Sequence, residues 1–366
     1  MTDRPGAVPS QLIAEMIGAG YIAGASAQAI QPSSLDLTLT DVCYRMRGSY
    51  LPRQGEQIRE IVSRGALYQH PLDRPLETDA IYLVKLSESL QLPPGIHATA
   101  NSKSSSGRIN LRTRLLADGV PRFDSIPAGF HGGLWIELIP KSFPIRLHPG
   151  DRLNQMRFFH GEARLSSLEH RMMYDRYRLL RATGSRMIPT ADEAVSDGIT
   201  MTIDLPADDI AGWRAHPSAW SVLDTADFDH DPRDFFEPIQ PTRNGELILN
   251  HGSFYILATK EKVIIPPAFA AEMAPYDPTK GEFRSHFAGF FDPGFGWNEN
   301  DAERGWQAVL EVATHGHDFI IRDGQPICLM VYERLLAKPH ALYGQDLKSN
   351  YIVQKGPRLA KWFKTA

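Results

Sequence analysis

"AIYLVKLSESLQLPPGI" at 80–96 and "SFYILATKEKVIIPPAF" at 253–269 are two versions of one pattern: an apolar run, a polar alternation, then a proline pair. Pro93-Pro94 recurs as Pro266-Pro267, an offset of 173. The same register holds further along the chain. "GGLWIEL" (132–138) is answered by "WQAVLEV" (306–312), which sets Glu137 against Glu311 at an offset of 174. Gly150 in "HPGDRLNQMRFF" is answered by Gly324 in "RDGQPICLMVYE", again at 174. Upstream, "SLDLTL" (34–39) resembles "TIDLPA" (202–207). A register kept across distant landmarks means two copies of one unit.

Each copy reads as mainly β. Short alternating segments such as "AIYLVKL" and "RLNQMRFF" are broken by turn residues, and the chain carries 29 Gly and 27 Pro. A many-stranded unit of this size avoids open edges by closing into a barrel or a sandwich. Helical patterning is confined to "PSQLIAEMIGAGYI" (9–22), opened by Pro9 and Ser10, and "LSSLEHRMMYDRYRLLRA" (165–182). The expected organisation is a first unit over 1–182, a linker over 183–198 ("TGSRMIPTADEAVSDG") and a second unit over 199–366.

Composition narrows the function classes. The 366 residues carry a formal net charge of −4, which argues against a general nucleic-acid binder. Cys43 and Cys328 are too few for a disulfide framework and form no CxxC pair for zinc. The opening "MTDRPGAVPS" has no basic stretch leading into an apolar one, and no apolar run approaches the roughly 20 residues that span a bilayer. The expectation is a cytoplasmic protein with no membrane partner.

The copies differ where chemistry would sit. After the proline pair the first copy has "NSKSSSGRIN" (101–110), with Lys103, Ser104, Ser105, Ser106 and Arg108; at that offset the second has "YDPTKGE" (276–282). Hydroxyls and N–H groups of a tight turn converge on phosphate oxygens, Lys103 adds a point charge, and Arg108 can fork two acceptors. A solvated Ser-rich turn has the same composition. Glu137 interrupts the apolar strand "LWIEL". Either it faces water, as alternate residues of a half-exposed strand do, or it is a buried acid that must have partners.

"QPSSLDLTL" (31–39), "SKSSSGR" (102–108), "GFHGGLWIEL" (129–138), "LHPGDRLNQMRF" (147–158) and the closing "LYGQDLKSNYIVQKGPRLAKWF" (342–363) resemble, in order, the motifs of the dCTP deaminase family, relatives of dUTPase. The resemblance implies two tandem dUTPase-like β-barrel or distorted jelly-roll units, the first catalytic and the second degenerate, in a long, duplicated member. It implies hydrolytic deamination of dCTP to dUTP and ammonia without a metal at the carbon. Glu137 would be the general base, Ser104 would bond the water or the base ring, and Arg108 would hold both in register. Lys103 and Ser105 would contact the triphosphate, Mg²⁺ would accompany it, and Tyr343, Lys348, Tyr351 and Gln354 of the tail would close over it. Neighbouring copies, arranged with threefold or pseudo-threefold symmetry, would complete the site.

The family's Asp-Pro-Gly turn is here "DSIPAGFHGG" (124–133), with Pro127 in the register of Asp, which leaves Asp124 or Arg122 for base or sugar recognition. The second copy keeps "FDPGFG" (291–296) without the Ser and Arg partners, so Glu311 is expected to be structural. The competing readings are a dUTP pyrophosphatase or bifunctional dUMP-forming enzyme, and a nucleotide-binding scaffold without turnover. A zinc deaminase is disfavoured, because two lone cysteines cannot supply its ligand set.

Overall fold

The computed structural model describes residues 4–182, 188–216, 221–275, 283–285, 289–301, 304–314, 316–346, 351 and 355–364. The chain divides into two compact units. Unit 1 comprises Met1–Glu162, Ser218–Phe235 and Ala360–Ala366; unit 2 comprises Ala163–Pro217 and Phe236–Leu359. The division after residue 162 gives the helical stretch near 165–182 to unit 2.

Seven strands form the main path of the ten-stranded sheet of unit 1: β1 (Leu35–Met46), β2 (Tyr82–Gln91), β3 (Ile96–Ser102), β4 (Leu111–Ala117), β5 (Ser125–Ile126), β6 (His131–Pro140) and β7 (Arg152–His160). They pair in the order β4-β6-β2-β1-β7-β3-β5, a barrel-like sheet. On β2 the buried residues Val84, Leu86, Glu88 and Leu90 alternate with exposed Lys85, Ser87, Ser89 and Gln91, the period of a strand with one face on the core. From Leu134 to Pro140, by contrast, every residue of β6 is buried, so both of its faces are covered. Helix α1 (Ser10–Gly18) lies within the stretch that opens at Pro9 and Ser10.

Helix α2 (Ile58–Gly65), which the sequence pattern did not suggest, supplies one of those covers. Its Ile58 and Ile61 pack with Met46, Leu83, Leu116 and Trp135 in a satellite cluster on the outer side of the sheet. Burying these two isoleucines contributes about 1.5–3 kcal/mol each. Asp118 holds the helix start, its Oδ1 accepting from the Ile58 amide at 2.8 Å while its Oδ2 accepts from Gly133 of β6 at 3.1 Å.

Unit 2 repeats the plan with β8 (Ile199–Thr202), β9 (Phe254–Val263), β10 (Phe269–Pro275), β11 (Phe283–Ser285), β12 (Phe290–Phe291), β13 (Trp306–Thr314) and β14 (Pro326–Arg334). Two of its sheets contain the runs β11-β13-β9 and β8-β14-β10-β12, and the Ile203–Thr259 bridge joins them. Each of the seven labelled strands of unit 1 thus has its counterpart seven labels later, in the same order. Buried acids repeat as well: the Thr38 amide donates to Glu88 at 3.0 Å, and the Thr202 amide to Glu261 at 2.8 Å. That pairing corrects one register. The counterpart of 34–39 is 198–203, because Leu39 pairs with Leu86 as Ile203 pairs with Thr259, rather than 202–207. Helix α3 of unit 2 (Ser167–Tyr177) opens with a capping box between Ser166 and Glu169, and His170 Nε2 accepts from the Tyr332 amide at 2.9 Å.

Candidate active site

Two groups of residues in unit 1 carry chemistry, one at each end of a short path along β4. The first is the serine turn. Residues Ser104–Gly107 form a single helical turn between β3 and β4, pinned by the Lys103 amide donating to Leu153 O at 3.0 Å and Ser106 Oγ donating to the same carbonyl at 2.8 Å. Ser105, Ser106, Gly107 and Arg108 are all buried. Arg108 Nε donates to Ser104 Oγ at 3.0 Å, so the arginine orients the hydroxyl. Lys103 is ion-paired with Asp36, whose Oδ1 is buried without a hydrogen-bond partner among the described residues.

A second cation stands beside this pair. Burial lowers the pKa of Lys361, Lys103 lowers it further, and Asp151 and Asp36 oppose. The segment carrying it is held in unit 1 by Trp362 Nε1, which donates to Thr225 O at 3.0 Å, and Thr225 Oγ1 donates to Asp151 at 2.6 Å. From the sequence, Lys361 reads as plain surface charge.

The second group surrounds Glu137, which is only 3% exposed. On β6 it stands opposite Leu83 of β2 and Arg114 of β4. Its side chain is on the outer face with Trp135, under the cover that α2 provides. Burial pushes its pKa up; a hydrogen bond from Ser49 and the charges of Arg112 and Arg114 pull it back, and Asp124 pushes it up again. Its Oε1 has no partner among the described residues. A cavity of about 10 Å³ borders it, lined also by Met46, Gly48, Tyr50, Ile58, Ile61, Leu83 and Leu116. That is about the space of one water molecule.

Asp124 belongs to this second group. It adopts φ 56°, its Oδ2 accepts from Arg114 at 2.7 Å, and its Oδ1 accepts from the Leu115 amide at 2.7 Å. Burial raises its pKa and Arg114 counters. Arg122 lies on the adjoining exposed turn, its amide donating to Val120 O at 2.9 Å.

Models of the dCTP deaminase family match both parts of the chain: the N-terminal domain over residues 4–162 and the C-terminal domain over 174–363. This chain belongs to the dCTP deaminase family. A crystal structure of 2′-deoxycytidine 5′-triphosphate deaminase from Agrobacterium tumefaciens superposes with a TM-score of 0.82 at 38% identity, covering 92% of this chain and 99% of that one. Among curated proteins no match is found.

Within this dCTP deaminase family member, Ser104 and Arg108 are brought together, and so are Glu137 and Asp124. The start of β4 lies between the two pairs along the chain. Glu137 stands opposite Arg114, three residues into β4, and the serine turn precedes that strand; three residues of strand span about 10 Å. Sequence reasoning missed Arg112 and Arg114, although the alternation in "LRTRLLA" puts both on one strand face. It also missed Ser49. Of the tail residues, Tyr343 lies in unit 2, its ring 5.8 Å from Phe295 and 6.1 Å from Trp306, its amide donating to Pro293 O at 2.9 Å. Tyr351 is buried; Lys348 and Gln354 fall outside the described residues. Glu311 is buried on β13 opposite Ile256, as Glu137 is opposite Leu83. The segment at the offset of the serine turn, 276–282, falls outside the described residues.

Proposed function

We propose that this protein deaminates dCTP to dUTP and ammonia, with Glu137 as the general base. The observation that carries the reading is a buried carboxylate with one oxygen unpartnered among the described residues, beside a water-sized cavity. Burial makes the proton-holding form accessible, while Arg112 and Arg114 keep the ionised form available. A group poised between the two states can take a proton from a water as it adds to C4 of cytosine and then hand it on. One proton of the water passes through Glu137 to N3 as the oxygen adds to C4; the second passes from the C4 hydroxyl to the amine, C4=O forms, the C4–NH₂ bond breaks and ammonia leaves. Ser104, oriented by Arg108, would hold the water or the ring; the pair suits a hydroxyl donor of fixed direction.

The triphosphate would lie at Lys103 and Ser105, with Lys361 as a further cation. Magnesium brought in by the triphosphate would meet Asp36 there, whose Oδ1 has no hydrogen-bond partner among the described residues. Asp36 and Asp151 stand there among lysines, a setting that fits an ion bound mainly by phosphate oxygens and water. Because the serine turn and Glu137 occupy different places on one barrel, the reading includes a homo-oligomer in which the turn of one copy faces the Glu137 of another. The setting would be the cytoplasm, where free nucleotides occur. In unit 2 the tail residue Tyr343 rests against Phe295 and Trp306, so its proposed closure over substrate requires it to leave that seat.

Incubation with dCTP and Mg²⁺, with products separated by ion-exchange chromatography, tests the reaction. dUTP with stoichiometric ammonia supports it; dUMP with pyrophosphate supports the bifunctional alternative; binding without ammonia release refutes turnover. Mixing inactive Glu137→Gln and Arg108→Met proteins tests the shared site, since hybrid assemblies regain activity only if the two residues come from different copies.

A further inference from the structure

We propose that residues 223–230 form a clasp that positions Lys361 for the substrate triphosphate, with Thr225 and Trp362 as its positioning residues. This rests on the reading above that the triphosphate lies at Lys103. Strands Gly212–Ala215 and Phe236–Ile239 of unit 2 pair directly, Ala215 opposite Phe236, so a tight turn would be enough to join them. Instead Ser218–Phe235 belong to unit 1, together with the closing Ala360–Ala366. Ordering an excursion of that length costs conformational entropy, which its contacts in unit 1 must offset.

Those contacts converge on Thr225, which is buried. Leu223–Asp224 pair in parallel with Ile145–Arg146, Asp224 Oδ2 accepts from Arg146 Nη1 at 3.0 Å, and its Oδ1 lies 2.7 Å from His148 Nε2. This seats Thr225 over Asp151: its Oγ1 donates to Asp151 Oδ2 at 2.6 Å, an oxygen that also accepts from the His148 amide at 2.9 Å. On its other side Thr225 O accepts from Trp362 Nε1 at 3.0 Å. The end of the chain lies along the clasp, the His230 amide donating to Trp362 O at 3.1 Å and the Lys364 amide to His230 O at 3.0 Å. The Phe363 ring packs 5.5 Å from Phe235, which packs 4.9 Å from Phe143. With its neighbours anchored, Lys361 is held between two aromatic faces, its Nζ 5.0 Å from the Trp362 ring centre and 5.6 Å from that of Phe228. Asp151 thus touches the clasp on one side, and its charge and those of Asp36 and Lys103 act on Lys361 on the other. A lysine on an open surface gives up rotamer freedom when it meets a phosphate; at Lys361 the fold has already removed much of that freedom.

A double-mutant cycle on the full chain tests the clasp, with the affinity for dUTP and Mg²⁺ read by equilibrium dialysis. Lys361→Met should weaken binding about tenfold, roughly the effect of one charge-assisted hydrogen bond. Thr225→Val, which keeps the shape and loses the hydroxyl, should weaken it about fivefold, and Thr225→Ser should restore it. In the Lys361→Met background, Thr225→Val should change the affinity by less than about twofold, because its effect passes through Lys361. If circular dichroism shows Thr225→Val unfolded, Trp362→Phe, which loses the indole donor and keeps an aromatic face, completes the same cycle. Equal losses in both backgrounds would overturn the proposal, and so would wild-type affinity in Lys361→Met. Ammonia release from dCTP by the wild type separates this outcome from failure of the deamination reading. Turnover without coupling refutes the clasp alone; coupling without turnover refutes the reaction alone.

Discussion

Replacing Arg114 by Gln should move the acid limb of the pH profile for ammonia release upward by about one pH unit. Arg114 stands directly opposite Glu137 in the β4–β6 pair, and it is one of the charges that hold the Glu137 carboxyl down against burial. Directly opposed Cβ atoms are about 5 Å apart. With about 6 Å between the charges and an effective dielectric constant near 20, the attraction is about 3 kcal/mol, or about two pH units. The Arg114 side chain is 43% exposed and also serves Asp124, so solvent screening and the shared partner cut this to about half. The sign follows from charge: without the cation the ionised carboxylate is less favoured, its pKa rises, and the base form appears only at higher pH. The assay is kcat/KM for dCTP from pH 5 to 9, because that ratio reports the ionisation of the free enzyme. Arg114→Lys should restore most of the profile. A limb displaced by less than about 0.3 unit in Arg114→Gln, with the protein folded, would refute the assignment of Glu137 as the titrating base.

Glu137→Gln should lower ammonia release by about 10³-fold, within the usual range for a lost general base, while equilibrium dialysis still detects dCTP binding. The same variant should melt no lower than wild type at pH 8. The folded-state pKa of Glu137 is raised, so its contribution to stability is present at low pH and declines as pH rises through that value. Arg108→Lys should cost about 10²-fold in kcat/KM, since an ammonium cannot reproduce the fixed guanidinium direction that holds Ser104 Oγ; circular dichroism checks that the fold survives. Gly294→Ala should destabilise unit 2 by about 2 kcal/mol or more, read as a lower calorimetric transition, because a side chain there meets both a positive φ and backbone atoms of Tyr343.

Much of the architecture was legible from periodicity. The duplicated landmarks carry over into paired strands, and the two helical stretches contain Ser10–Gly18 and Ser167–Tyr177. The upstream register was legible only up to an even slip. "SLDLTL" fits either 198–203 or 202–207, because a shift of four residues leaves every side chain on the same face, and only the pairing of Leu39 and Ile203 with their neighbours decides. Helix α2 was missed because it is eight residues long and carries charge at Arg59, Glu60 and Arg64 between its apolar positions.

The chain's own residue order determined that two β units of one pattern exist, and that a serine turn and an acid-bearing strand hold fixed places in the first. Alternation and turn chemistry are local, so they can be read along a line. Whether Glu137 meets water or is sealed in was decided by α2, 79 residues earlier in sequence, and by Arg112 and Arg114 on the strand beside it. The seating of Tyr343 in unit 2, and of Lys361 beside Lys103 in unit 1, was likewise decided by tertiary packing. Burial and charge pairing depend on what a distant segment brings across space, and spacing along the chain carries no record of that.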